Sequence, residues 1–128
     1  MIGKAISTLL TGDAPLVALV GNNIFPYVID PDTPLPAVVY TIDNVNPTYN
    51  KDGWATDDIE FSVMSFSKDY NTLQSVVSAI RAALEGEKGT VESIDLRRID
   101  MTAMQEGFNI TEDVFANKLT FSVTINDY

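Results

Sequence analysis

The sequence predicts an α+β fold: a mostly antiparallel four-stranded sheet with helices packed on one face, in the order α-β-β-α-β-β. Three observations lead there. Across residues 57–86 one strand runs straight into one helix. Ile59, Phe61 and Val63 alternate with Glu60, Ser62 and Met64, then Tyr70, Leu73, Val77, Ile80 and Leu84 recur at steps of three and four. Near the end Phe115, Leu119, Phe121, Val123 and Ile125 share one face of a strand, with Thr120, Ser122 and Thr124 on the other. Two further apolar runs, at 38–45 and 94–101, supply the remaining strands.

Taken in order, Ile2, Ile6 and Leu9 recur at helical spacing, with Leu10 beside them, and Gly12 ends that helix. Asp13 can cap a second, shorter piece in which Pro15 is tolerated because it falls in the first turn. Leu16, Val17, Leu19 and Val20 follow and Gly21 stops them, so the two pieces read as one broken helix. The fully apolar second half implies burial. Residues 22–36 hold four of the six prolines, Pro26, Pro31, Pro34 and Pro36, which deny a ladder its donors. That stretch reads as an extended surface connector in which Ile24 and Phe25 either pair briefly or plug a groove.

Val38, Tyr40 and Ile42 form one face of the first clear strand, and Thr41 and Asp43 the other. Residues 46–56 then read as a long loop joining two strands that a two-residue turn could have joined. After the strand at 59–66, Ser67, Asp69 and Asn71 are all plausible N-caps for the helix. Ala79, Ala82 and Ala83 keep that helix slim, and Gly86 is placed to end it in a left-handed conformation. A charged turn, Glu87-Lys88-Gly89, leads to Ile94 and Leu96 in one phase and Ile99 and Met101 in the other. The flip predicts a bulge at Arg97-Arg98. Residues 105–113 are polar and turn-like, and the last strand follows. No repeat or linker divides the chain, so residues 1–128 read as one domain.

Composition excludes more than it selects. There is no cysteine and no histidine, so disulfides, thiolate metal sites and histidine-based nucleophile arrangements are ruled out. Eight basic residues face 18 acidic ones, a formal charge of -10, which argues against affinity for nucleic acid or anionic membrane. The longest apolar run, 14–20, is too short to span a bilayer, and no secretory h-region opens the chain. The expectation is a soluble protein made inside the cell, without a membrane.

The candidate chemistry is thin. Residues 48–59 brush the calcium-hand pattern at Asn50, Asp52 and Gly53, but Ile59 stands where the bidentate carboxylate belongs, so a solvated turn is the better reading. The acidic clusters Asp57-Asp58-Glu60 and Glu112-Asp113 read as solvated faces, and Arg97-Arg98 with Lys88 as ion-pair partners. The seven glycines form no phosphate loop. No catalytic, cofactor or metal residue is expected. Two features remain. Tyr49 and Trp54 flank the polar segment Asn50-Lys51-Asp52-Gly53, and aromatics on a protruding segment suit an interface, or else cap the sheet edge. The hydroxyl row Thr120, Ser122 and Thr124 faces solvent by default and also suits a contact with a neighbouring subunit.

Several phrases, in their order, resemble a known family. A first helix, then Leu19-Val20-Gly21 leading to Ile24-Phe25-Pro26, then Leu35-Pro36-Ala37-Val38-Val39-Tyr40, is similar to the opening of the tail-completion family of long-tailed bacteriophages. Ile80-Arg81-Ala82-Ala83-Leu84-Glu85-Gly86 resembles that family's helix end, and Leu119-Thr120-Phe121-Ser122-Val123 its final strand. The resemblance implies a structural, non-enzymatic virion protein related to the tail terminators. It implies a ring, commonly hexameric, that ends tail-tube growth and joins tail to head at the neck, with tail-tube and head-side connector proteins as partners. DNA passes through the ring without specific binding, and assembly takes place in the host cytoplasm. The alternatives are a head-side connector or minor tail protein, or, from another class, a small acidic ligand-binding domain.

Overall fold

The computed structural model describes residues 2–49 and 55–126. In chain order the elements are α1 (Ile2–Thr11), α2 (Ala14–Val20), β1 (Ile24–Pro26), β2 (Ala37–Tyr49), β3 (Ala55–Ser67), α3 (Tyr70–Leu84), β4 (Gly89–Val91), β5 (Ile94–Leu96), β6 (Asp100–Asn109) and β7 (Val114–Asn126). The fold is α+β, as expected, but the sheet has seven strands rather than four. Its order is β1-β2-β3-β7-β5-β4, with β6 also pairing β7. The two extra outer strands, β1 and β4, are three residues each and too short to show a period. The expected third strand is split into β5 and β6.

That split is the bulge that the phase flip implies. Leu96 pairs with Ile125 and Asp100 with Ser122, so four steps on one strand oppose three on the other. The extra residue turns Ile99 back into the core beside Ile94 and Leu96, while Arg97 and Arg98 stay exposed. β3 and β5 both run antiparallel to β7, on opposite sides of it, and α3 crosses between them.

Two segments read as loops are strands. β2 and β3 stay paired as far as Tyr49↔Ala55, so residues 46–49 and 55–56 of the expected loop are strand, and its residues 50–54 lie outside the described residues. β6 likewise runs to Asn109, and the turn occupies only 110–113. Both were hidden for one reason. A period of two marks a strand when one face is buried, and residues 43–49 and 102–109 are exposed throughout.

The core lies between the helices and one face of the sheet. Ile2, Ile6 and Leu10 of α1, Leu16 and Val20 of α2, and Leu73, Val77, Ile80 and Leu84 of α3 are buried. They meet Val38 and Tyr40, Ile59, Phe61 and Val63, and Leu119, Phe121, Val123 and Ile125. At its centre Phe61 and Phe121, paired in register, stack with ring centroids 5.3 Å apart. The second half of the broken helix is less buried than its composition implies. α2 turns by 81° from α1, and only Leu16 and Val20 reach the core, leaving Leu19 exposed. Among the described residues no single helix is long and apolar enough to cross a membrane.

Local chemistry fixes the helix ends. Of the three candidate caps, Asp69 is the one used: its carboxylate accepts from the Thr72 N–H at 3.1 Å and the Thr72 hydroxyl at 2.7 Å. Gly86, at φ 82°, takes the left-handed position after α3 and donates its N–H to the Ile99 carbonyl at 2.8 Å. The helix stop thereby anchors the bulged segment of the sheet.

Two outcomes follow. Phe61→Ala empties the centre of the stack and should lower unfolding free energy by about 3–5 kcal/mol, read from urea titrations. The Thr72 hydroxyl and N–H hold the Asp69 carboxyl below the usual carboxylate range. The cap therefore stabilises fully above the unfolded-state pKa, about 3.9, and is lost as pH falls through the lower folded value. Asp69→Asn keeps an acceptor but cannot titrate, so the gap in urea midpoint between wild type and variant should shrink from pH 7 to pH 3. A constant gap contradicts this.

Candidate assembly surface

Of the carboxylates singled out in the sequence, Asp58 serves the sheet. Asp58 accepts a hydrogen bond from the Thr124 hydroxyl at 2.6 Å across the β3–β7 ladder. Asp43 accepts one from Thr41 at 2.8 Å and another from the buried Ser62. Glu112 and Asp113 fall in the 110–113 turn, where the Glu112 N–H donates to the Asn109 side chain at 3.2 Å. Among the described residues no group of three or more acidic side chains is placed to hold a metal ion. Ile59, at the calcium-hand position that needs a carboxylate, is buried in the core, and Thr48 is tied into the ladder opposite Thr56. Arg98 pairs with Asp100 at 3.0 Å. Arg97 has no carboxylate within reach among the described residues.

A groove of about 830 Å³ runs between the proline-rich connector and the start of α3. Pro31, Pro34, Pro36, Phe66 and Val114 line it, with Asp69 and Glu112 among its polar residues. Asp69 is committed to capping α3. The Thr72 hydroxyl that meets the Asp69 carboxylate in the groove is part of that cap.

The interface candidates separate. Tyr49 is the last residue of β2 and is 72% exposed. Asn50, Lys51, Asp52, Gly53 and Trp54 lie outside the described residues. Thr120, Ser122 and Thr124 are half-buried on the sheet face turned away from the helices, between β3 and β6. By register Tyr49 belongs to the other face, with Val45, Ile59 and Phe61. The structure therefore does not unite Tyr49 with the hydroxyl row.

What sequence reasoning missed lies at the sheet's margins. β6 pairs with β7 on one side and with no strand on the other among the described residues. Met104 and Phe108 on it are 48% and 45% exposed. Phe108 packs on Phe115 at 4.7 Å between centroids, and Phe115 on Tyr70 at 5.3 Å, so a half-exposed aromatic cluster stands at one end of β6. Glu106 accepts from the Tyr70 hydroxyl at 3.0 Å and the Gln74 amide at 3.2 Å, which ties β6 to α3 and raises the Tyr70 pKa. On the opposite margin β1 covers β2 only at Val38–Tyr40. The Tyr27 phenol then stands in for a strand at Ile42, accepting from its N–H at 3.2 Å and donating to its carbonyl at 3.3 Å. Beyond Ile42 the outer edge of β2 is open among the described residues. The signal for this arm was present as the alternation Val45-x-Pro47-x-Tyr49, masked by its polar neighbours.

Comparison with known proteins places this geometry. A chain from a structure described as the virion of a native gene transfer agent particle superposes with a TM-score of 0.82. It is 19% identical, and the match covers 96% of this chain and 92% of the other. At that identity the likeness establishes the fold. No match is found among curated protein sequences. The model of the family described as tail completion protein gp17 matches residues 4–125, nearly the whole length, and the chain therefore belongs to the tail completion protein gp17 family.

Proposed function

We propose that this chain is a structural virion protein that forms a ring at the head–tail junction. The ring ends growth of the tail tube, joins the tail to the head and lets DNA pass through its lumen. Residues 1–128 act in it as one unit. Membership of the tail completion family over residues 4–125 carries the reading. The fold shared with a chain from a structure of a gene transfer agent virion supports it.

The physical chemistry agrees with such a role. A ring of identical subunits needs two different contact patches on each, so that head-to-tail contacts close on themselves. Among the described residues the open edges of this chain include two unlike long ones, β6 and the far half of β2. Its net charge of -10 suits a channel that DNA must traverse, because counterion release drives binding only where cations neutralise phosphates. In the groove beside α3 the Asp69 carboxylate is taken up by the helix cap it forms with Thr72, which favours the assembly role over a small acidic ligand-binding domain.

Within this reading the segment carrying Tyr49 and Trp54 contacts a neighbouring subunit or the tube beneath, and six copies complete the ring. Trp54→Ala should leave the circular dichroism spectrum and urea midpoint near wild type while reducing ring formation at least tenfold. Equal loss of folding and assembly places Trp54 in a core instead. The broader test is particle morphology. Without this chain, tails should vary in length and heads should remain unattached, and labelled chain should appear at the junction in electron micrographs. Label at the head portal or the far tail end would favour a connector or a minor tail subunit.

A further inference from the structure

The contact between subunits can be assigned to particular strands. β2, β3, β7 and β6 run alternately up and down, so β2 and β6, the outer long strands, are antiparallel to each other. A second copy set beside the first in the same orientation therefore brings its β2 against β6 antiparallel, with no inversion of the subunit. That is a head-to-tail contact, the kind that closes into rings. Pairing β6 with β6 would need a two-fold axis and would stop at a dimer.

The backbone groups are turned the right way. The Arg97 N–H donates to the Thr124 carbonyl, so the even-numbered residues of β7 face β5 and β6. Their partners Ala103, Gln105 and Gly107 face inward, which leaves Met104, Glu106 and Phe108 with outward N–H and C=O groups. On β2 the Val38 N–H and Tyr40 carbonyl point outward, towards Asn23 and Tyr27. The bulge between Ile42 and Asn44 shifts this alternation so that Val45, Pro47 and Tyr49 point outward. Pro47 thus lacks its N–H on the open side, where its own ladder loses nothing. β6 itself contains no proline and no lysine to blunt its edge.

The side chains match on both faces. On the helix side, the exposed row Val45, Pro47 and Tyr49 would meet Met104 and Phe108, each half-exposed on its own. On the other side the charges are complementary. Arg97 and Lys118 lie on the β5–β6 side of the sheet and Glu60 on the β2–β3 side, all without an ion pair among the described residues. We propose that the open edge of β6 receives the β2 arm of a second copy of this chain, extending the sheet antiparallel from subunit to subunit.

This rests on the ring reading above and is testable apart from it. One variant blocks β6 (Met104→Pro, with Met104→Lys as a second version in case proline disturbs folding). The other blocks the arm (Val45→Asp with Tyr49→Asp). Circular dichroism verifies folding, and sedimentation velocity is run at a concentration where the wild type assembles, with tail tubes added if they are needed. Each variant alone should remain a monomer. Their equimolar mixture should give a two-chain species and nothing larger, because one intact arm and one intact β6 edge remain. Ring formation by both variants alone overturns the strand assignment and leaves the ring reading standing. So does a dimer of the arm-blocked variant alone, or a mixture that stays monomeric. A wild-type chain that never self-associates, with or without tubes, removes the ring reading and this inference with it.

Discussion

The structure depends on the pairing of β3 with β7. These two 13-residue strands run in unbroken register from Thr56↔Asn126 to Ser67↔Phe115. Because side chains alternate strictly, that register fixes which residues face the helices. It puts Phe61 on Phe121 and sets Ile59, Val63, Leu119 and Val123 around them, a surface apolar enough to hold three helices. Slip the register by one and Asp58, Glu60 and Ser122 would enter the core instead. Everything else hangs from the pair: β2 hydrogen-bonds to β3, while β5 and β6 hydrogen-bond to β7.

Legibility in the sequence followed burial. β7, β3 and α3 could be read because each has one buried face, and even the bulge showed, since Ile94, Leu96 and Ile99 are all buried and their phases conflict. Where neither face is buried, composition is free to drift. Asn46-Pro47-Thr48 and Gln105-Glu106-Gly107 look like loop and are strand, held by ladder hydrogen bonds to neighbours whose own register is fixed by the core. The short strands β1 and β4 are fixed by pairing and carry too few residues to announce themselves.

The candidate surface was legible in part. Tyr49 was marked as an exposed aromatic and is one, but as the end of a strand. The hydroxyl row lies on one face of the last strand, as read, and that strand is interior to the sheet. Which strand lies outermost is a property of the sheet order, and no local pattern encodes that order. Met104 and Phe108 are unremarkable until β6 is seen to pair on one side only. Family likeness supplied the setting, and the geometry supplied the strands.

The account rests on a chain whose central pair is closed and whose margins are open, so that assembly continues the sheet which folding began. The most direct measurement is a reconstruction of this chain seated on a tail tube at a resolution that traces strands. The account predicts a hydrogen-bonded sheet continuous from β6 of one subunit to β2 of the next around the whole ring. Subunits that touch only through α1, α2 and the outer face of α3, with β6 and the β2 arm bare to solvent, would contradict it.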